Sequence, residues 1–247
     1  EWAENRAKLP QDVIRRTLGG IIDSLYDTGE RDKFRTRVER TPNGTEVYVT
    51  HRGMVEVYNH QHLWNNRQMP RVYDAFVDVW GTEKLWVTID RANLNFPLPT
   101  GSDKKGFIHW DYDPETRPQN VQGVLALSDQ MDEQMGGFQC IPWLYRNYDI
   151  WKQDQPKDRN RFQPDISGLE DKIVKVGMKA GDLLIFNSTE PHGIRPNRTK
   201  DKVRIAQYIS MMPAEEDNEE LRQWRINSWK HRIAPQGFAF PGDPRNW

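Results

Sequence analysis

The chain has 247 residues, which is enough to bury the core of one β-rich domain. Its 35 Lys and Arg residues nearly balance its 36 Asp and Glu residues, and the formal net charge is -1. This balance provides no overall basic field for nucleic acid and favours a small molecule as the partner. The single cysteine, Cys140, excludes an internal disulfide, and no long apolar run indicates a membrane span. We therefore expect a cytoplasmic protein, unless a targeting signal was removed ahead of Glu1.

Two segments in the first third of the chain have the periodicity of amphipathic helices. From Pro10 to about Asp27, apolar residues recur at intervals of three and four, and Pro10 suits a first helical turn. The stretch from Pro70 to Trp80 shows the same pattern and is followed by Gly81, a common helix terminator. Between them, residues 46–58 are rich in β-branched and aromatic residues, which predicts strand structure.

Beyond Gly81 the chain has the texture of many short strands separated by turn residues. Strands are predicted at 85–96, 106–112, 121–127, 137–141, 173–176, 182–187 and 203–212. Because no helix-length segments regularly separate them, the pattern favours a barrel or jelly roll over a parallel sheet. We expect the polar insert at about 142–168 to form a short helix and a loop over the barrel mouth, and residues 214–232 to form a helix.

The sequence shows no internal repeat, low-complexity tract or linker that would indicate a domain boundary. We predict one domain over residues 1–247. It comprises a mainly helical flank with a β segment at 1–83, a β core at 84–212, and a C-terminal helix and tail at 213–247.

His109 and Asp111 form half of a candidate metal site. They lie in the segment GFIHWDYD at residues 106–113, which reads as a strand. Residues two apart on a strand project to the same face, so both side chains could reach one ion. An H-x-D triplet occurs readily by chance, so this pair needs further ligands to define a site.

Those further residues follow a later strand candidate. Residues 180–187 read as a turn and a buried strand, and His192 comes shortly after them. Twelve residues beyond His192, Arg204 lies within an apolar strand pattern, where an arginine is costly to bury without an anionic partner. Two imidazoles and one carboxylate occupy one face of an octahedral iron(II) ion and leave positions for a chelating 2-oxo acid and dioxygen. The arginine could then bind the far carboxylate of that acid.

The order of these motifs resembles the phytanoyl-CoA dioxygenase-like family of iron(II)/2-oxoglutarate-dependent oxygenases. The resemblance runs from about Leu85 to Met212. In chain order the matching motifs are Asn93-Leu94-Asn95, His109-x-Asp111, residues 122–129, residues 136–142, Gly181-Asp182-Leu183, Pro191-His192-Gly193, Pro196-Asn197-Arg198 and Arg204.

The resemblance implies a mainly β fold with flanking helices, the double-stranded β-helix, also described as a cupin-like jelly roll. It implies one catalytic domain that uses Fe(II), 2-oxoglutarate and O2, releases succinate and CO2, and oxidises a C–H bond of a small organic substrate, most simply by hydroxylation. His109, Asp111 and His192 are carried over as the catalytic iron ligands. Arg204 and Asn95 are carried over as contacts to 2-oxoglutarate.

The sequence departs from the family pattern at two places. Many relatives continue the motif at 136–142 with Gly-Ser-His, whereas this chain has Trp143, Leu144 and Tyr145. Relatives often have a small hydroxyl residue two positions after the distal histidine, whereas this chain has Ile194. Because of the first departure, the substrate of better-known relatives cannot be assumed for this chain. Because of the second, Arg204 lacks one residue that would be expected to bind the same carboxylate.

Other polar residues have weaker claims on the site. By strand parity Asp113 shares the face of His109 and Asp111, but a loop carboxylate is the simpler interpretation. We interpret His60 and His62 as loop residues, with a place in the substrate cavity as the alternative. Three arginines could meet an acidic substrate group, although a solvated surface is the simpler prediction for each of them: Arg67, Arg71 and Arg91.

Rival functions remain open at this point. Desaturation or cyclisation would use the same residues as hydroxylation, whereas halogenation would need a small residue in place of Asp111. A non-catalytic metal- or ligand-binding cupin-like barrel would have no need of Arg204. Zinc-dependent hydrolysis also uses two histidines and a carboxylate, but the sequence has no H-E-x-x-H helix.

Overall fold

A computed structural model describes the backbone at 37–40 and 46–49, and residues 53–236 apart from 56, 99, 104 and 117–119. The helix predicted from Pro10 to about Asp27 lies outside the described residues, as does the tail from 237 onward. In the part that is described, none of the helices combines the length and apolar character needed to cross a membrane.

Twelve short strands make up most of the regular structure described. In chain order they are β1 (Arg37–Arg40), β2 (Glu46–Val49), β3 (Met54–Val55), β4 (Leu85–Val87), β5 (Ala92–Asn95), β6 (Val121–Ala126), β7 (Met135–Cys140), β8 (Val174–Lys175), β9 (Leu183–Asn187), β10 (His192–Asn197), β11 (Arg204–Tyr208) and β12 (Met211–Pro213). All of the pairings between them are antiparallel.

Two sheets form the core of the fold. The larger one has the order β3-β5-β11-β6-β9, and the smaller one has the order β10-β7-β8. An apolar cluster joins their inner faces, with Val124 of β6 and Ala206 of β11 packed against Phe138 and Cys140 of β7. Two facing antiparallel sheets of this kind, with few helices, confirm the predicted jelly-roll class. Two short ribbons, β1-β2 and β12-β4, complete the strand pairing.

The helices lie at the edges of this core. They are α1 (Gln61–Arg67), α2 (Pro70–Trp80), α3 (Pro142–Arg146), α4 (Tyr148–Trp151) and α5 (Glu219–His231), with 3-10 turns at Lys152–Asp154 and Glu170–Lys172. The predicted bounds of α2 are confirmed, with Pro70 in its first turn and Gly81 as a left-handed cap at φ 66°. The predictions of a short helix in the insert and a helix in the tail are also confirmed.

The larger sheet separates an outer packing face from an inner functional face. Val72 and Phe76 of α2 are buried in the same cluster as Leu125 and Ile205. Because side chains alternate along a strand, the neighbours of Leu125 and Ile205 face the opposite way, toward the smaller sheet. Arg204 is one of those neighbours, so packing of α2 on the outside directs Arg204 inward.

Several element predictions need correction. Residues 106–112 form no strand, and the β-bridge described for them is an isolated one between His109 and His192. The 85–96 and 203–212 predictions each split into two strands. Three elements were not predicted. They are β1, α1, which begins after the buried cap His60, and β10, which contains Gly193 and Pro196 and is stabilised by nonlocal pairing with β7.

Candidate active site

His109 and His192 face each other across an isolated β-bridge. The backbone N–H of His109 donates to the carbonyl of His192 over 2.8 Å, and the N–H of His192 donates back over 3.0 Å. Gly193 permits this close approach, because a Cβ at that position would lie 1.7 Å from the backbone oxygen of Phe107. The bridge therefore brings two histidines together that are far apart in the sequence.

Asp111 completes a compact cluster of three side chains that could hold a metal ion. Its Oδ1 lies 3.0 Å from His109 Nε2, and its Oδ2 lies 3.4 Å from His192 Nε2. One ligand atom from each of the three residues falls within 4.8 Å of the others. The side chains are 27%, 39% and 10% exposed for His109, Asp111 and His192, so the cluster is open on one side.

The protonation state of the cluster suits a metal cation. The distance from His192 Nδ1 to the Glu190 carbonyl is 2.9 Å, which assigns the proton to Nδ1 and leaves the Nε2 lone pair directed at Asp111. Burial alone would raise the pKa of Asp111. The contacts with His109, His192 and Gln122 outweigh burial and hold that pKa well below its usual range. Asp111 is therefore ionised at neutral pH.

The cluster lies in the wall of a cavity of about 480 Å³. Arg204 lines the same cavity and is only 1% exposed. Its Nε donates to Gln130 and its Nη1 donates to Asn93, each over 2.9 Å. Among the described residues no carboxylate forms an ion pair with this guanidinium. A buried arginine with neutral partners, beside a metal-type cluster, is suited to an anionic ligand.

The sequence of the chain matches one known protein family over most of its length. The model of the family described as phytanoyl-CoA dioxygenase (PhyH) matches residues 21–206, about three quarters of the sequence. The chain belongs to the phytanoyl-CoA dioxygenase (PhyH) family. This family is one of the non-haem iron, 2-oxoglutarate-dependent oxygenases.

Individual relatives cover different shares of the chain. The "Ava biosynthesis cluster protein O" of Aspergillus versicolor is 24% identical over 223 residues, which is 81% of this chain and 71% of that protein. The outer membrane protein assembly factor BamC of Thiobacillus denitrificans is 71% identical over only 58 residues, 24% of this chain. A second BamC, from Accumulibacter regalis, is 44% identical over 91 residues. The matched segments span 16% and 24% of the lengths of the two BamC proteins.

A solved structure supports the fold. The epimerase SnoN, crystallised with Fe3+, alpha ketoglutarate and nogalamycin RO, covers 93% of this chain with a TM-score of 0.50. The chain in turn covers 87% of SnoN, and the sequence identity is 14%. Similarity at this level establishes the shared fold of this PhyH-family chain.

The donor set fits the iron that the family implies. Two imidazoles and one carboxylate form the usual three-ligand face of non-haem iron(II), and their ligand atoms converge on one point at a cavity wall. The carboxylate is ionised and His192 presents an unprotonated nitrogen, as metal binding requires. His109, Asp111 and His192 would hold the metal in this PhyH-family chain.

The structure does not bring Asn95 to the cavity wall. Its side-chain amide donates to the carbonyl of Arg195 over 3.0 Å, whereas Asn93, two residues earlier on β5, bonds Arg204. Asp113 is also directed elsewhere, toward Arg161 at 3.0 Å.

The remaining sequence candidates divide into cavity and non-cavity residues. His60 is buried as the cap of α1, and neither it nor His62 is part of the cavity wall. Arg91 lines the cavity beside Asp90, so the prediction of a solvated surface is wrong for this residue. The same prediction is wrong for Arg67, which is 1% exposed and donates to the carbonyl of Asp90, whereas Arg71 is exposed.

The sequence alone did not identify three residues of the site. Asn93 holds Arg204, Tyr208 lies close to Arg204 in the cavity wall, and Gln122 binds Asp111. Strand parity offered a signal for Tyr208, since residues 204 and 208 of β11 point to the same face. Tyr208 thus places a hydroxyl near Arg204, where relatives often use the position of Ile194. No comparable signal was available for Gln122, because its partner comes from a nonlocal contact.

Gln122 is expected to orient Asp111 for metal binding. Its Nε2 donates to Asp111 Oδ2 over 2.6 Å, which fixes the rotation of the carboxylate. We expect Gln122→Leu to weaken metal binding by about 10- to 100-fold, the usual effect of losing a hydrogen bond to a ligand. Titration of the apo protein with cobalt(II) would measure this. Unchanged affinity would show that Asp111 is oriented without Gln122.

Proposed function

We propose that this chain catalyses the 2-oxoglutarate-dependent hydroxylation of a C–H bond in a small organic molecule, with release of succinate and CO2. One observation carries the proposal. The cluster of His109, Asp111 and His192 and the buried guanidinium of Arg204 open to the same cavity. A non-catalytic metal- or ligand-binding barrel would have no need of a buried arginine in that cavity. The family membership of the chain gives independent support.

Different residues of the cavity have different roles in the proposed reaction. Bound iron(II) supplies the activation of dioxygen and the decarboxylation of the 2-oxo acid. Arg204, held in place by Asn93 and Gln130, would bind the distal carboxylate of 2-oxoglutarate. Tyr208 would donate its hydroxyl to the same carboxylate. Asn95, proposed from the family motif as a second contact to 2-oxoglutarate, would have to release the carbonyl of Arg195 to reach it.

The cavity favours a small substrate with apolar and polar ends. A volume of about 480 Å³ falls in the range of ordinary small-molecule sites. Phe107, Phe138 and Phe186 give one part of the wall an apolar surface, whereas Arg91 and Ser210 give another part polar groups. The similarity to a biosynthesis cluster protein and to an epimerase crystallised with nogalamycin RO supports a natural-product-like molecule as substrate.

The catalytic unit belongs to the same proposal. The metal ligands and Arg204 come from both sheets and from the segment between β5 and β6. Residues 84–212 therefore cannot be divided without separating the site. We propose that they form one catalytic domain together with the flanks at 1–83 and 213–247.

Anaerobic spectroscopy and product analysis test the function. Apo protein that receives iron(II) and 2-oxoglutarate without oxygen is expected to develop a weak visible charge-transfer band. With oxygen and a panel of small neutral substrates, succinate should form, and the hydroxylated product should gain one oxygen atom. A product that lacks two hydrogens would instead indicate desaturation or cyclisation. Absence of both the band and succinate would refute the oxygenase function.

A further inference from the structure

Two of the three proposed metal ligands lie on a segment that has little backbone pairing with the sheets, although side-chain bonds from Gln122 and Gln139 also reach it. Residues 106–113 are not a strand, and His109 forms their single bridge to β10. A ligand segment with so little pairing needs another source of rigidity, because a metal site requires its donors at nearly fixed positions. Trp110, the residue between the two ligands, provides the contacts that supply it.

Trp110 connects three separate parts of the molecule. It is 2% exposed, and its backbone N–H donates to the carbonyl of Phe162 over 2.9 Å. Its indole N–H donates to the carbonyl of Thr189 over 3.0 Å. Thr189 lies in the turn that leads directly into His192. One side chain thus ties the segment that carries His109 and Asp111 to the turn that places the third ligand.

The insert after β7 surrounds the indole ring of Trp110. Tyr148 and Trp151 of α4 meet it edge to face, with ring centroids 5.7 and 5.8 Å away. Ile141 and Leu144 belong to the same buried cluster. The expectation that the insert lies over the mouth of the barrel is not met among the described residues, because none of its side chains lines the cavity.

Polar contacts outside the aromatic cluster also join the insert to the ligand segment. Arg161 of the insert pairs with Asp113 at 3.0 Å. The hydroxyl of Tyr148 donates to Glu115 over 2.8 Å. Both partners lie within four residues after Asp111, so the insert contacts the ligand segment from Trp110 to Glu115.

We propose that Trp110 is a positioning residue for the metal site and that residues 142–162 of the insert form a bracket, which fixes His109 and Asp111 relative to His192. This inference rests on the proposed function, since it assumes that the three residues bind a metal. The bracket also explains why residues 143–145 differ from the Gly-Ser-His that many relatives have at this place. In this chain those residues lie in α3, where Leu144 is fully buried in the aromatic cluster.

Paired tryptophan variants test the bracket. Trp110→Phe keeps an aromatic ring and removes the bond to Thr189. Trp80→Phe is the matched control, because the Trp80 indole also donates to a backbone carbonyl, that of Met211, over 2.8 Å, but outside the cavity. Each variant is titrated with cobalt(II), and the Tm of its apo form is measured. We expect Trp110→Phe to weaken cobalt(II) binding by about 10- to 100-fold and to change the cobalt absorption spectrum. Trp80→Phe should lower only the Tm.

The outcomes separate the bracket from the proposed function. If wild-type protein binds cobalt(II) and Trp110→Phe binds it equally well, the bracket is overturned and the metal site stands. If wild-type protein binds no cobalt(II), both are overturned. If Trp110→Phe does not fold, Tyr148→Leu replaces it, because this change removes an aromatic contact to Trp110 and keeps an apolar side chain. A fall of about two- to tenfold in cobalt(II) affinity is then expected, and no fall would overturn the bracket.

Discussion

Replacement of His192 with alanine is expected to abolish metal binding and, with it, turnover of 2-oxoglutarate. His192 is the most buried of the three ligands, and its Nε2 is directed at Asp111 by the contact between Nδ1 and Glu190. Loss of a ligand should exceed the 10- to 100-fold effect of losing a supporting contact, so we expect an affinity loss of more than about 100-fold. Cobalt(II) titration and the anaerobic iron(II)/2-oxoglutarate band would measure it.

His62→Ala is the control for this prediction. His60 and His62 are two residues apart in the chain, but His60 caps α1, His62 lies in its first turn, and neither lines the cavity. Metal affinity should therefore be unchanged in His62→Ala. Loss of metal in His62→Ala combined with retention in His192→Ala would show that the metal is bound by the wrong pair of histidines for the proposed chemistry.

The cluster of His109, Asp111 and His192 could be predicted from sequence even though the segment that carries two of these residues was wrongly predicted to be a strand. Residues 106–112 have the alternation of a strand, and the structure keeps the consequence of that alternation without forming a ladder. Ile108 and Trp110 are buried in the cluster against the insert, while His109 and Asp111 reach the cavity wall. Because every second side chain of this segment is buried, His109 and Asp111 project to the same side without a strand.

Contacts that depend on strand register could not be derived from sequence. Arg204 pairs in register with Asn95, but its long side chain reaches Asn93 instead. Both asparagines lie on the same face of β5, so parity alone cannot choose between them. The strand β10 was missed for a related reason. Gly193 and Pro196 weaken any local strand signal, and pairing with β7, distant in sequence, determines the structure.

Replacement of Arg204 with methionine is expected to remove most of the affinity for 2-oxoglutarate. Loss of one partner of a buried, hydrogen-bonded charge pair costs about 2–5 kcal/mol, which corresponds to roughly 30- to several thousand-fold in affinity. In wild-type protein, 2-oxoglutarate at about 100 times its Kd should stabilise the fold by about 2.7 kcal/mol. This ligand-dependent rise in Tm should disappear in Arg204→Met when both proteins carry the same metal.

Arg195→Met is a control of the same chemistry and burial. Arg195 is 3% exposed and donates to the backbone carbonyls of Phe138 and Gly136 over 2.7 Å each. Either substitution leaves buried oxygens without their donor, so both should lower the Tm of the apo protein. Only Arg204→Met should lose the shift on addition of 2-oxoglutarate. An equal shift in both variants would show that Arg204 serves the fold rather than the co-substrate.

Arg204→Lys separates charge from geometry at the same position. Lysine retains a positive charge but replaces the planar fork with a point charge, and it cannot preserve the bonds from Nε to Gln130 and from Nη1 to Asn93 together. If the co-substrate carboxylate needs only a cation, Arg204→Lys should bind 2-oxoglutarate nearly as well as wild-type protein. We expect an affinity between those of wild type and Arg204→Met, because Asn93 and Gln130 hold the guanidinium in the orientation that two parallel hydrogen bonds to a carboxylate require.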